Sequence, residues 1–216
     1  MSDNAKTWLM IHAERKALAA TLDDLTPRQW GSESLCAGWT VGLLAAHVLA
    51  GAEQTTGRFL AGMVVTGFRF NTLMDRDARS RAQLAPQQIA GRLRQRTTTT
   101  NHPPAPVMAM LGEVVVHGED IRRPLGMPGT VADGAANACL DMYTKANFPV
   151  GGKKRIAGLR LVATDTGWTY GAGPEVSGPA LSLLLAMTGR PAGLDGLSGD
   201  GATALGQRVT ARAGQA

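Results

Sequence analysis

A helical bundle followed by a small α+β domain is the fold class that this 216-residue sequence predicts. Three observations predict it. Apolar residues recur at helical spacing through most of the first 150 positions. Helix starts (Thr26-Pro27, Thr40, Pro86) and breaks (His102-Pro103-Pro104, Pro124-Leu-Gly126) punctuate that stretch. After Gly151-Gly152-Lys153-Lys154 the pattern turns to short alternating runs around a glycine turn. The expected domains are therefore 1–150 and 151–216.

Residues 6–25 carry Leu9, Ile11, Leu18, Leu22 and Leu25 at helical spacing, a first amphipathic helix. Thr26 is an N-cap with Pro27 at the first helical position, and Gly31 cuts that turn short. Thr40 is the expected N-cap of a long apolar helix over 41–65, with Trp39 packing on Leu44 as a hydrophobic staple. Residues 67–85 read as irregular and charged. A third helix over 86–98 opens on Pro86, and a fourth runs from Pro106 to Arg123. Residues 133–147 add another. Four main helices with short joints suggest an antiparallel bundle. In the tail, Leu159–Ala163 and Trp168–Gly171 flank Asp165-Thr-Gly167 as a β-hairpin, and Val176 begins a short strand or turn. Pro179–Gly189 and the last twenty residues each supply a helix.

Composition narrows the function classes. With 44% hydrophobic and 18% charged residues the chain is globular. Its net charge of +5 comes from scattered basic residues without interleaved aromatics, which argues against a nucleic-acid partner. The N-terminus lacks a basic start followed by an apolar run, and no apolar stretch reaches the ~20 residues of a membrane span. Cys36 and Cys139 are far apart and form no CxxC, so reduced thiols and a cytoplasmic location are expected.

The chemistry concentrates on three residues. Glu113 and His117 stand four positions apart in the fourth helix, on one face shared with Met110, Val114 and Ile121. That face is apolar, so a carboxylate and an imidazole there need a partner or a metal. His47 poses the same problem beside Leu44, Val48 and Gly51 on the second long helix. Facing helices of a bundle bring such side chains together. Two imidazoles and a carboxylate are a three-ligand set for zinc with one position open; the same set suits non-haem iron. Spacing alone leaves open a surface pair or a satisfied core contact.

The segment Cys36-Ala-Gly-Trp39-Thr-Val-Gly-Leu-Leu-Ala-Ala-His47-Val resembles the GWT…HV signature of the DinB-like family of mycothiol-dependent enzymes. Glu113-Val-Val-Val-His117-Gly-Glu-Asp120 is similar to that family's second signature. Thr188-Gly-Arg190-Pro and Leu197-Ser-Gly-Asp-Gly201 resemble its small C-terminal domain. The whole is similar to the mycothiol-dependent maleylpyruvate isomerases and the mycothiol S-transferases among them. The resemblance implies a DinB-like four-helix bundle with zinc, or another divalent metal, on His47, Glu113 and His117. It also implies mycothiol as a thiol cosubstrate whose sulfur binds the metal and attacks an electrophile. It leaves isomerase and transferase both open, with detoxification as one setting for the latter.

Around that site, Arg190 is the expected catalytic arginine, holding a substrate carboxylate, with a solvated helix end as the alternative and Arg208 as a weaker competitor. Asp120 either orients His117 or pairs with Arg122 or Arg123. Cys36, lacking an evident base, reads as a small buried side chain. His12 reads as ordinary, and His102 is the reserve ligand. Two other function classes fit the same residues: a metal-assisted hydrolase, and a non-catalytic ligand-binding protein.

Overall fold

The computed structural model describes residues 3–127, 129, 131–148 and 150–213. It divides into two compact units, 1–132 and 133–216.

The first unit is helical: α1 (Asp3–Asp23), α2 (Pro27–Trp30), α3 (Val41–Glu53), α4 (Thr56–Val65), α5 (Phe70–Arg81), α6 (Pro86–Gln95) and α7 (Val107–Arg122). α1 packs on α6 and α7, while α3 packs on α5, α6 and α7, so α1, α3, α6 and α7 form a four-helix bundle. Ile11, Leu18 and Leu22 of α1, Leu44 and Leu49 of α3, Leu93 of α6 and Leu111 and Ile121 of α7 fill its core. The capping chemistry is as expected. Thr26 Oγ1 accepts from Gln29 N in a reciprocal capping box, and Thr40 Oγ1 accepts from Leu43 N at 3.2 Å.

Two elements differ from the expectation. The helix anticipated over 41–65 is two helices, because Gln54 leaves helical geometry and Thr55 caps a new start with its hydroxyl on Arg58 N. Residues 70–81, expected to be irregular, form α5. Its inward face amounts to Leu73 and Ala78, and the remaining positions are polar and solvated, so almost no apolar period shows. An ion-pair hub holds α5 in place. Glu53, at the end of α3, is buried and accepts from Arg81 Nε of α5 at 3.1 Å and from Arg92 Nε of α6 at 2.9 Å.

The second unit begins before the expected boundary. α8 (Ala135–Lys145) packs on α10 (Ala180–Met187), so the division falls at 132/133. The glycine-rich stretch read as a linker forms one helical turn, α9 (Gly152–Arg155). The hairpin is present: β1 (Arg160–Ala163) pairs antiparallel with β2 (Thr169–Tyr170), with Leu161 opposite Tyr170. β3 (Glu175–Gly178) joins β1 in parallel, giving the order β2-β1-β3. Asp165 in the hairpin turn accepts from Ala180 N at 2.9 Å and so closes the start of α10, whose apolar residues lie in this unit's core. α11 (Ala202–Ala213) completes the unit.

Candidate metal centre

His47 sits midway along α3, and Glu113 and His117 one turn apart on α7, the helix packed against it. The structure places His47 close to each of the other two. His47 Nε2 lies 3.9 Å from Glu113 Oε1, and the rings of His47 and His117 meet edge to face with centroids 5.2 Å apart. Their side chains keep exposures of 15%, 23% and 18%, so the group opens outward and is not sealed in the core. Trp39 stands edge-on to the other side of His47 at 5.3 Å, a contact with the site itself.

Backbone and charge both shape this group. A Cβ on Gly51 of α3 would sit 2.2 Å from Glu113 Oε1, so glycine lets the carboxylate lie where it does and a larger residue would push it aside. Burial pushes the Glu113 pKa up, partly offset by His117 and by Arg15. Arg15 is buried on α1, over the Trp8 ring, with its guanidinium donating to the carbonyls of Arg96 and Thr99. Burial, aided by the charge of His117, pushes His47 down to about 3, leaving a neutral imidazole with a free lone pair. For His117 burial also pushes downward, but its hydrogen bonding with Asp120 and Cys36 and the nearby Asp120 charge outweigh it and leave it at about 9. A cation binding there displaces a proton from the ring.

The donor set fits a divalent cation. Tetrahedral zinc with bonds of about 2.0–2.1 Å places its ligand atoms roughly 3.3 Å apart. The 3.9 Å between His47 Nε2 and Glu113 Oε1 exceeds that, and among the described residues the ligand atoms of His47, Glu113 and His117 do not all lie within 4.8 Å of one another, so a shared cation requires these side chains to draw inward. Two imidazoles and one carboxylate fill three of four positions and leave one for an external group.

The opposite edge of His117 carries a second cluster that sequence reasoning set aside. Its Nδ1 lies 2.9 Å from Asp120 Oδ2, and Cys36 Sγ lies 3.3 Å from the same oxygen and 3.9 Å from Nδ1. The ligand-type atoms of Cys36, His117 and Asp120 all fall within 4.8 Å of one another. Asp120 thus orients His117, while Arg122 and Arg123 face Glu119 instead. Cys36, read as a small buried side chain without a base, is half-buried with an imidazole and a carboxylate beside it. Eighty-odd positions separate it from His117 and Asp120, so no local pattern announces the contact.

The remaining expected residues lie elsewhere. His102 donates from Nδ1 to the Pro103 carbonyl at 2.6 Å and lies against Trp8. His12 contacts the Thr99 carbonyl and the same indole. Arg190, in the second unit, donates to the Thr188 carbonyl at 2.9 Å. Arg208 donates to the carbonyls of Arg155 and Ala157, closing the end of α9.

Comparison with known proteins agrees with this architecture. Two crystal structures, of the mycothiol-dependent maleylpyruvate isomerase and of a mutant of it, superpose with TM-scores of 0.62 and 0.64. Each covers 92% of this chain and 93% of its own at 16% identity, a likeness of fold. No curated protein matches the sequence. No helix among the described residues is long and apolar enough to cross a membrane. Residues 11–105, which contain Cys36, Trp39 and His47, match the family model of the mycothiol maleylpyruvate isomerase N-terminal domain. That stretch of the chain is therefore similar to the N-terminal domain of the mycothiol-dependent maleylpyruvate isomerases.

Proposed function

We propose that this protein is a mycothiol-dependent enzyme in which His47, Glu113 and His117 hold a divalent metal, zinc by the character of the ligands, and a thiol adds to an electrophilic carbon. The observation that carries the reading is the meeting of His47 on α3 with Glu113 and His117 on α7 at a partly open surface. Of the two edges of His117, the one toward His47 and Glu113 suits the metal better. The other edge is already engaged by Asp120, which is fully buried.

When bound, the metal supplies a Lewis acid that lowers a thiol's pKa, so that thiolate is available at neutral pH. The chain's own residues do the rest. Asp120 accepts the proton of His117 Nδ1 and so fixes the ring with Nε2 toward the metal position. Gly51 clears the space for Glu113, and Trp39 supplies an apolar wall beside His47. Arg190 is the candidate partner for a carboxylate of the electrophile, through paired hydrogen bonds. Isomerisation and transfer share the addition. In isomerisation the sulfur leaves after rotation about the former double bond; in transfer the adduct is retained.

The test is turnover of an electrophile by purified, zinc-supplemented protein with and without mycothiol. Thiol-dependent turnover that disappears in His47→Ala and His117→Ala, together with the metal, is the expected result. Full activity in either metal-free variant contradicts the reading, and so does turnover of an ester or amide without thiol.

A further inference from the structure

The segment before α3 is tied down more heavily than a connecting loop needs. Glu33 and Thr40 form an isolated antiparallel bridge, and Ser34 N and Trp39 N donate to the carbonyls of Trp39 and Cys36, each at 3.0 Å. Ser34 Oγ accepts from Cys36 N at 3.1 Å and donates to the Trp39 carbonyl at 2.8 Å. Gly38 turns the chain at φ +73°, a conformation that favours glycine. One further bond, Leu35 N to the Asp120 carbonyl at 3.0 Å, pins the loop to the C-terminal turn of α7. The result places one thiol over one carboxylate. Cys36 Sγ lies 3.3 Å from Asp120 Oδ2, the oxygen that accepts from His117 Nδ1 at 2.9 Å.

We infer that Cys36 is a positioning residue of the metal centre, its S–H donating to Asp120 so that the carboxylate holds His117 with Nε2 directed at His47 and Glu113. This inference rests on the metal reading above. Asp120 is fully buried, and a buried carboxylate is stable only when donors surround it. The thiol and the imidazole N–H both bind one of its oxygens, so the position of each constrains the other. A thiol is a weak donor, but it needs no charge of its own, and it leaves the carboxylate free to polarise the imidazole. Cys36 acts here through Asp120 and takes no part in coordination. It touches the Nδ1 edge of the ring, whereas the metal position lies off the Nε2 edge.

The experiment compares the full chain with its Cys36→Ser, Cys36→Ala and Asp120→Asn variants. Zn2+ affinity is measured by chelator competition, and the Co2+-loaded proteins are measured by absorption spectroscopy. Cys36→Ser keeps a donor and binds Zn2+ within a factor of about three of the parent, while Cys36→Ala binds about tenfold more weakly, the low end for loss of an outer partner of a ligand histidine. Asp120→Asn loses at least as much. The visible bands of the Co2+ form shift in Cys36→Ala and return in Cys36→Ser. Equal Zn2+ affinity in Cys36→Ala and parent overturns the inference and leaves the metal reading standing. A sulfur-to-cobalt charge-transfer band in the parent without added thiol, lost in Cys36→Ala, also overturns it, because Cys36 is then itself a ligand. Failure of the parent to bind Zn2+ overturns both. Should Cys36→Ala fail to fold by circular dichroism, the Cys36→Ser comparison decides: a loss above tenfold in that variant contradicts the donor role.

Discussion

Gly51 shows how one side chain's absence shapes the site. A methyl group there meets the Glu113 carboxylate at 2.2 Å, while glycine inside a helix costs about 1 kcal/mol relative to alanine. The two effects act on different observables. Gly51→Ala gains helix propensity but forces Glu113 out of line with His47, so Zn2+ affinity falls at least tenfold while the thermal midpoint changes little. Titration calorimetry beside a thermal melt checks the pair of results. An unchanged affinity would mean that Glu113 is not held where a metal needs it. Arg190 poses a separate question of substrate charge. If it holds a carboxylate, Arg190→Ala raises KM for an anionic electrophile by about 10-fold or more, as expected on losing a charge-assisted hydrogen bond. For a neutral electrophile KM stays unchanged. Steady-state kinetics on one substrate of each kind distinguishes that role from a helix-end contact to Thr188.

Helices α3 and α7 carry the proposed ligands, and their neighbours fix how they meet. Glu53 joins the end of α3 to Arg81 on α5 and Arg92 on α6. Removing its buried carboxylate strands two guanidinium groups that are partly exposed, with side-chain exposures of 23% and 42%, so water relieves part of the loss. Glu53→Ala is expected to cost about 2–3 kcal/mol, within the range for losing hydrogen bonds to a charged group, measured as a shift in the urea midpoint. Thr40→Ala, which removes the cap of α3, costs about 1 kcal/mol by the same measurement. The caps were legible in the sequence because Thr26, Thr40 and Pro86 act locally, and the pairing of Glu113 with His117 on one helix face because they stand one turn apart. α5 was not legible. Arg69 precedes it without a side-chain cap, and its stability comes from Leu73, Ala78 and a salt bridge to a residue 28 positions away. The break at Gln54-Thr55 escaped notice because neither residue is a glycine or proline. The Cys36–Asp120 contact depends on tertiary structure alone.

At the scale of the molecule, the three proposed ligands all belong to the unit spanning 1–132, and Arg190 to the unit spanning 133–216. The expected division at the Gly151-Gly152 stretch overlooked that α8 shares a core with α10, a pairing set by packing and invisible to composition. The central claim is a metal on His47, Glu113 and His117 with one position open to a thiol. Its most direct test is mycothiol titration of the Co2+-loaded full chain, followed by absorption. One Co2+ per chain is expected, with a sulfur-to-cobalt charge-transfer band that grows to one equivalent of mycothiol. That band persists in Cys36→Ala and is absent from His47→Ala and His117→Ala. A chain that takes up no Co2+, or a loaded chain that develops no band with mycothiol, would contradict it.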